Sequence, residues 1–451
     1  MPRAAGLELQ DGMRARCSQE GNSMTLVLKN GSLIDGAGRL VADAVVIVEG
    51  NTISGAGPAH HVRVPEGDCE TIDLGGKTIM PGMMDLHDHL WGDESEHSDG
   101  VPHDRFGEEV TLIEDHDAYL AVFMMENARK ALGAGFTTIR DTGSPRDLTI
   151  DVARAARDGI FVGPRIEYAA TIDISFPPGK KQVHGVVGGN VTGPVEAARA
   201  VREKVGSGAD WIHLIATGAG VGQWGPEALM LTPEEMKAAT AEAHRLGRRV
   251  TCNACGAEGM KNAILAGVDC IEHGTHIAQD DEVIEMMVNR KVGWIPTLYV
   301  SIAKKEQAEA AEARGEKSGL PEYWLKRELE WIDLWRRGFE KAMEAGVLTG
   351  VGTDTGAPYM VHAKNAKELE IYVRYGMSEM EAIEAATHKN AEIMGLDDRL
   401  GTIEAGKEAD MIVVNEDPLK DIRVLQDNEN IALVIKSGEI VVDNLSKGAA
   451  R

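Results

Sequence analysis

The sequence predicts a parallel (β/α)8 barrel of the TIM type, an α/β fold, that carries a small β domain built from both ends of the chain. Three observations predict it. Short apolar runs alternate with helical stretches over about 300 central residues, the pattern of a parallel α/β fold. β-branched runs broken by Asn-Gly, Glu-Gly and Gly-Gly turns occupy both ends. No G-x-G-x-x-G opens a helix after a strand, which argues for a barrel over a doubly wound dinucleotide-binding sheet.

Taken in order, residues 1–23 have no apolar stretch of signal-peptide type and read as an unstructured extension. Residues 24–80 contain "TLVLKNGSLID", "DAVVIVEGNTISGAG" and "CETIDLGGKTIM", and residues 397–451 contain "GTIEAGKEADMIVVN" and "IALVIKSGEIVVDN". These segments read as strands of one composite β-sandwich domain. Residues 81–396 form the barrel. Its helices are "AYLAVFMMENARKALGAG", "PVEAARAVREKVGSGAD", "TPEEMKAATAEAHRLGRR" and "AEGMKNAILAGVD", and its strands are "FTTIRDTG", "WIHLIATG", "RVTCNACG", "CIEHG", "GWIPTLYV" and "LTGVGTDTG". Several helices run into Ala-Gly or Leu-Gly, where glycine fills the left-handed position that ends a helix. The aromatic-rich "EYWLKRELEWIDLWRR" (Glu322–Arg337) reads as an amphipathic helix packed on the barrel.

The first barrel strand ends in "PGMMDLHDHLWGD", with His87 and His89 one residue apart. In an extended strand such residues share a face, so two imidazoles aim at one point, as a metal requires. Alone, such a pair more often marks surface histidines than a metal site. Other strand ends decide the matter. Asp141, His213, Asn253, His273, Thr297 and Asp354 stand at the carboxyl ends of successive strands, the face where barrel proteins place their chemistry. Trp211 and His213 share one face of their strand, and Ile212 and Leu214 share the other. His276 and His362 fall on loops at the same mouth. Cys252 and Cys255 form a C-x-x-C inside a strand-like run with no second pair downstream, so zinc or redox use of that motif is not expected.

Several ordered motifs resemble the amidohydrolase superfamily, in the branch of prolidase-like Xaa-dipeptidases, ochratoxin-type amidases and herbicide carbamate and phenylurea hydrolases. They include Met80–His89, "GFTTIRD", "ATG", "GVDCIEHG", "PTL", "GTDTG" and "GTIEAGKEADMIVV", and the likeness spans about residues 25–445. The resemblance implies a barrel with a β-sandwich from both termini. It implies His87, His89, His273 and Asp354 as metal ligands, with Asp354 also carrying protons. Two positions depart. The fourth-strand lysine that becomes carboxylated and bridges two metals is His213 here, and the fifth-strand histidine is Asn253. Imidazole cannot make a lysine carbamate, and an amide oxygen is a weak zinc ligand. One divalent metal per chain is therefore expected, zinc first, with cobalt or manganese as alternatives. His213 is expected to complete the ligand shell or assist catalysis beside Asp354 and His273.

The expected activity is hydrolysis of a carbonyl C–N bond of amide, carbamate, thiocarbamate or urea type by metal-activated water. Asn253, Cys255, His276 and His362 are the expected substrate contacts. Alternatives are a Xaa-dipeptidase or N-acyl amino acid hydrolase, a mononuclear deaminase and a non-catalytic binding barrel. A formal charge of −25 argues against nucleic acid and anionic membrane as partners. The partner is a small-molecule substrate, with a homo-oligomer expected. Five cysteines without framework spacing point to a reduced, cytoplasmic protein.

Overall fold

Alternation of β-branched and small residues makes the N-terminal segment strand. In the computed structural model, which describes residues 25–92, 116–174, 188–218, 225–316, 322–357 and 359–445, it forms β1 (Thr25–Ile34), β2 (Leu40–Glu49), β3 (Thr52–Pro58), β4 (Cys69–Asp73) and β5 (Thr78–Pro81). The expected extension 1–23 lies outside the described residues.

The barrel follows. Its strands are β6 (Met83–Asp88), β7 (Phe136–Asp141) and β8 (Arg165–Ile174), with β9 (Gly188–Val191) added beside β8. β10 (Trp211–Ile215), β11 (Arg249–Ala254), β12 (Cys270–His273) and β13 (Gly293–Ile295) complete the parallel series β6-β7-β8-β10-β11-β12-β13. Residues 348–355 close the ring. Trp294 donates to the Leu348 carbonyl at 2.8 Å, Leu86 to that of Val351 at 2.9 Å, and His89 to that of Thr355 at 2.8 Å. This segment lies between β13 and β6 and acts as the eighth stave.

Helices cover the outside, and the sequence-predicted glycine stops are in place. Gly135, Gly247 and Gly267 all have positive φ at or just beyond a helix end, and Gly208, after Ser207, does the same. Along each barrel strand, alternate residues point inward. Met84, Leu86, Ala169, Trp211, Cys270 and Ile295 meet in one buried cluster at the amino-terminal side, sealed by Ala391, Ile393, Met394 and Leu400. Polar residues take the next inward positions toward the mouth.

β14 (Met411–Val414), β15 (Ile431–Lys436) and β16 (Glu439–Asp443) return to the N-terminal strands. The order β16-β15-β14-β5-β1-β2-β3, with β4 parallel to β1, makes one mixed sheet from both termini. Leu33, Ile79, Met411, Val413, Leu433 and Ile435 form its buried face. No helix among the described residues is long and apolar enough to cross a membrane.

Candidate metal centre

Each site residue stands where its strand runs out. β6 delivers His87 and His89, whose ring centroids are 5.2 Å apart. Asp354 faces them from the eighth stave. Its Oδ1 is 3.5 Å from Nε2 of His87 and 3.2 Å from Nε2 of His89. His273 joins from β12, its ring centroid 4.7 Å from that of His87. Donor atoms of His87, His273 and Asp354 lie within 4.8 Å of one another. His87 is almost wholly buried, whereas His89 and Asp354 keep 22% and 18% side-chain exposure, so the cluster opens to solvent on their side.

The "GTDTG" turn explains how the carboxylate comes so close. A Cβ on Gly352 would stand 2.7 Å from the His87 amide nitrogen, and one on Gly356 would stand 2.2 Å from the His89 carbonyl oxygen. Only glycine lets the eighth stave approach β6 this nearly. Between those glycines Asp354 adopts φ 60°, and His273 and Thr297 adopt φ 65° and 50°. Left-handed backbone at three non-glycine residues is strain of the kind that collects at functional sites. At His273 it is held in place: Trp294 and Trp335 both donate from Nε1 to its carbonyl, at 3.1 and 3.0 Å. The Glu322–Ala345 helix thus packs on the barrel as expected, and also braces a site residue.

Polar partners orient the imidazoles. Nδ1 of His273 shares a 2.8 Å hydrogen bond with the Thr297 hydroxyl, leaving Nε2 as the nitrogen for a ligand. Below β6, Asp85 accepts the amides of His87 and Thr353, each at 3.1 Å, and locks the first strand to the eighth. Asp141 accepts the Leu90 amide at 2.9 Å and fixes the turn after His89.

The electrostatics are those of a cation site. Burial opposes ionisation of Asp354, but His87 and His89 outweigh it and hold the carboxyl well below the usual range. Burial likewise disfavours the charged form of His87, yet Glu272 and Asp354 prevail and raise it to about 10. For His273 burial wins, and its ring is lowered to about 3, a neutral ligand. A carboxylate flanked by imidazoles, one of them kept neutral, is the donor set that a divalent metal takes. Nδ1 of His89 is also buried without a hydrogen-bond partner.

The remaining predicted residues fall in three places. His213 does not join the cluster of His87, His273 and Asp354. Its Nδ1 pairs with the Thr171 hydroxyl at 3.1 Å and its Nε2 lies 2.9 Å from Oε2 of Glu272, which sets it behind His87. Asn253, Cys255 and His276 form a run of contacts along the neighbouring wall. Cys255 Sγ is 4.0 Å from Asn253 Oδ1, the Cys255 carbonyl accepts the His276 amide at 2.9 Å, and the His276 ring meets Trp331 edge-on at 5.8 Å. Burial pushes the Cys255 thiol up to about 11, which rules against a thiolate nucleophile. His362 is fully buried, its Nε2 3.0 Å from Asp88 at the end of β6.

Residues missed from sequence include Glu272, Arg140 and Asp85, all fully buried. Each is a charged residue inside a strand that is buried throughout, which a protein tolerates only with partners, and for Glu272 and Arg140 those partners stand on other strands.

A model described as the Amidohydrolase family matches residues 78–441, and the chain belongs to that family. The chain is 28% identical to an ochratoxinase of Aspergillus niger over 470 positions, covering 97% of this chain and 91% of that protein. The crystal structure of A. niger ochratoxinase matches with a TM-score of 0.79 at 26% identity, covering 94% of this chain and 96% of that one. A crystal structure of a Xaa-Pro dipeptidase with bound methionine in the active site matches at 31% identity with a TM-score of 0.76, covering 93% and 100%. The chain is accordingly an enzyme, a metal-dependent hydrolase of carbonyl carbon–nitrogen bonds in small molecules, and the reading as a non-catalytic barrel falls.

Proposed function

We propose that the protein hydrolyses a small, neutral amide, carbamate, thiocarbamate or urea, using one divalent cation held by His87, His89, His273 and Asp354. The observation that carries this reading is the convergence of His87, His273 and Asp354 within 4.8 Å, with His89 3.2 Å from the same carboxylate oxygen. Three imidazoles and one carboxylate suit zinc, with cobalt or manganese as alternatives. A cation bound there supplies an attacking water with a pKa near 7 and polarises the substrate carbonyl.

The chain's own residues do the rest. Asp354, on the open side of the cluster, takes a proton from the attacking water and returns it to the leaving nitrogen. Asn253 offers an amide to the substrate, and Cys255 and His276 extend the same wall. His213 acts behind His87 rather than on the substrate. Among the described residues, Asn253, Cys255 and His276 bring no lysine or arginine to that wall to hold a substrate carboxylate, which favours a neutral acyl group.

A second reading, an Xaa-dipeptidase or N-acyl amino acid hydrolase, is supported by the 31% identity to a Xaa-Pro dipeptidase. Free Cys69, Cys252, Cys255 and Cys270 support a reducing, cytoplasmic setting. A panel of anilides, carbamates, ureas and dipeptides, assayed before and after chelation, tests the proposal. Metal-dependent cleavage of a neutral member is expected. Dipeptide cleavage alone establishes the second reading, and release of ammonia alone from a ring substrate makes the enzyme a deaminase.

A further inference from the structure

Inside the barrel, beneath the proposed ligands, lies a buried ion pair that the mechanism above leaves unused. Glu272 and Arg140 are both fully buried. One carboxylate oxygen of Glu272, Oε1, is satisfied: Arg140 Nη2 donates to it at 3.0 Å and the Thr251 hydroxyl at 2.8 Å. The other oxygen, Oε2, stands 3.3 Å from Nδ1 of His87 and 2.9 Å from Nε2 of His213. Neither contact is aligned as a hydrogen bond, so three buried polar atoms face one another with no other partner. Buried polar atoms in such an arrangement need a reason.

The geometry points to Glu272 as a positioning residue that accepts the Nδ1 proton of His87 and the Nε2 proton of His213 on one oxygen. For His87 the consequence is tautomeric. With a proton fixed at Nδ1, it is Nε2, facing Asp354 and His89, that would give up its proton and turn a lone pair to the cation proposed to sit there. A carboxylate behind an imidazole also makes it a stronger donor. For His213 the consequence is exclusion. Nε2 must carry the proton, since a bare lone pair 2.9 Å from a carboxylate oxygen would be repelled, and in a neutral ring Nδ1 then accepts from the Thr171 hydroxyl. His213 is then held away from the metal.

Arg140 makes the assembly rigid. Its Nε donates to the carbonyl of Leu86, next to His87, at 2.8 Å, and its guanidinium lies over the Trp211 ring at 4.7 Å. One guanidinium therefore places both the backbone beside His87 and the carboxylate behind its ring.

This inference rests on the metal reading, so the test begins with wild-type protein. Zinc affinity is measured by competition with a chromophoric chelator for the full-length wild type, Glu272→Gln and His213→Gln, with circular dichroism on each. If the wild type binds no zinc tightly, the metal reading fails. If it does, E272Q is expected to bind zinc about 10- to 100-fold more weakly, and H213Q, which keeps a donor at the Nε2 position, within about threefold of wild type. Cobalt-loaded H213Q is expected to keep the wild-type visible spectrum. Wild-type affinity in a folded E272Q overturns the positioning role. If E272Q does not fold because Arg140 is left unpaired, H213Q decides: retained affinity and spectrum support the inference, and loss of zinc shows that His213 is a ligand and overturns it.

Discussion

In the proposed mechanism Asp354 combines two roles in one side chain. It lies within 3.5 Å of two imidazoles and keeps an open face to solvent. Replacing it with asparagine removes a charged donor and the proton carrier while preserving shape. D354N is expected to lose at least about 10²-fold in kcat, the scale of a lost general acid–base group, with an unchanged circular dichroism spectrum. Retention of more than about a tenth of wild-type kcat would contradict the assignment. The charged groups around the site also predict a pH effect. Glu368 is buried, accepts the Leu298 and Tyr299 amides at 2.7 and 2.8 Å, and is pushed by that burial up to about 8. An unfolded glutamate titrates near 4.3. Between those values the folded state holds a proton that the unfolded state has lost, so this residue makes stability fall as pH rises from about 4.3 to 8. Glu368→Gln should therefore flatten the decline in thermal midpoint between pH 5 and 8; an unchanged slope would remove Glu368 from the account. Among single residues, His87, His89, His273 and Asp354 were legible as polar residues at strand ends, and the family resemblance singled them out from the other strand-end residues. Glu272 and Arg140 were not. Their importance comes from pairing across the barrel, between residues 132 positions apart, which no local pattern reveals. The burial of His362 was not legible, because a loop histidine near the mouth in sequence can turn inward.

At the scale of elements, the barrel strands were legible from alternation of apolar runs with helices, and so were the helix stops at Gly135, Gly247 and Gly267. The eighth stave was legible as "LTGVGTDTG", although its geometry departs from a regular strand. That departure has a cause: two glycines and left-handed Asp354 bend it toward β6. Gly352→Ala tests this. Its added Cβ would meet Ile295 Cγ2 at 2.4 Å and the His87 amide at 2.7 Å, and overpacking of this kind costs about 1–3 kcal/mol. G352A should unfold at lower denaturant than wild type with the same slope, and should bind metal more weakly because the stave is pushed away from His87. An unaltered midpoint would show that the close approach is not needed. The helix Glu322–Ala345 was read correctly as amphipathic and packed on the barrel. Its Trp335 bond to the His273 carbonyl was hidden, since tertiary contact alone places that indole.

At the scale of the molecule, both ends of the chain close one mixed sheet against the barrel. Arg165 of β8 ties the two together, with Glu408 at 2.6 Å and Asp410 at 3.3 Å. The terminal sheet was foreseeable from matching β-rich segments; that β14 would pair with β5 was not, because register across some 330 residues is set by packing. The barrel's mouth is where charge, strain and exposure coincide, and the central claim is that one divalent cation sits there without a bridging carbamate. Two cations a few ångströms apart repel strongly unless an anion lies between them, and His213 brings none. Purified protein should be stripped with chelator, reloaded with zinc and freed of loose metal. Metal equivalents per chain are then measured alongside hydrolysis of the best substrate. The account predicts about one equivalent, with activity restored in proportion to it. A firm two equivalents, or full activity in metal-free protein, would contradict it.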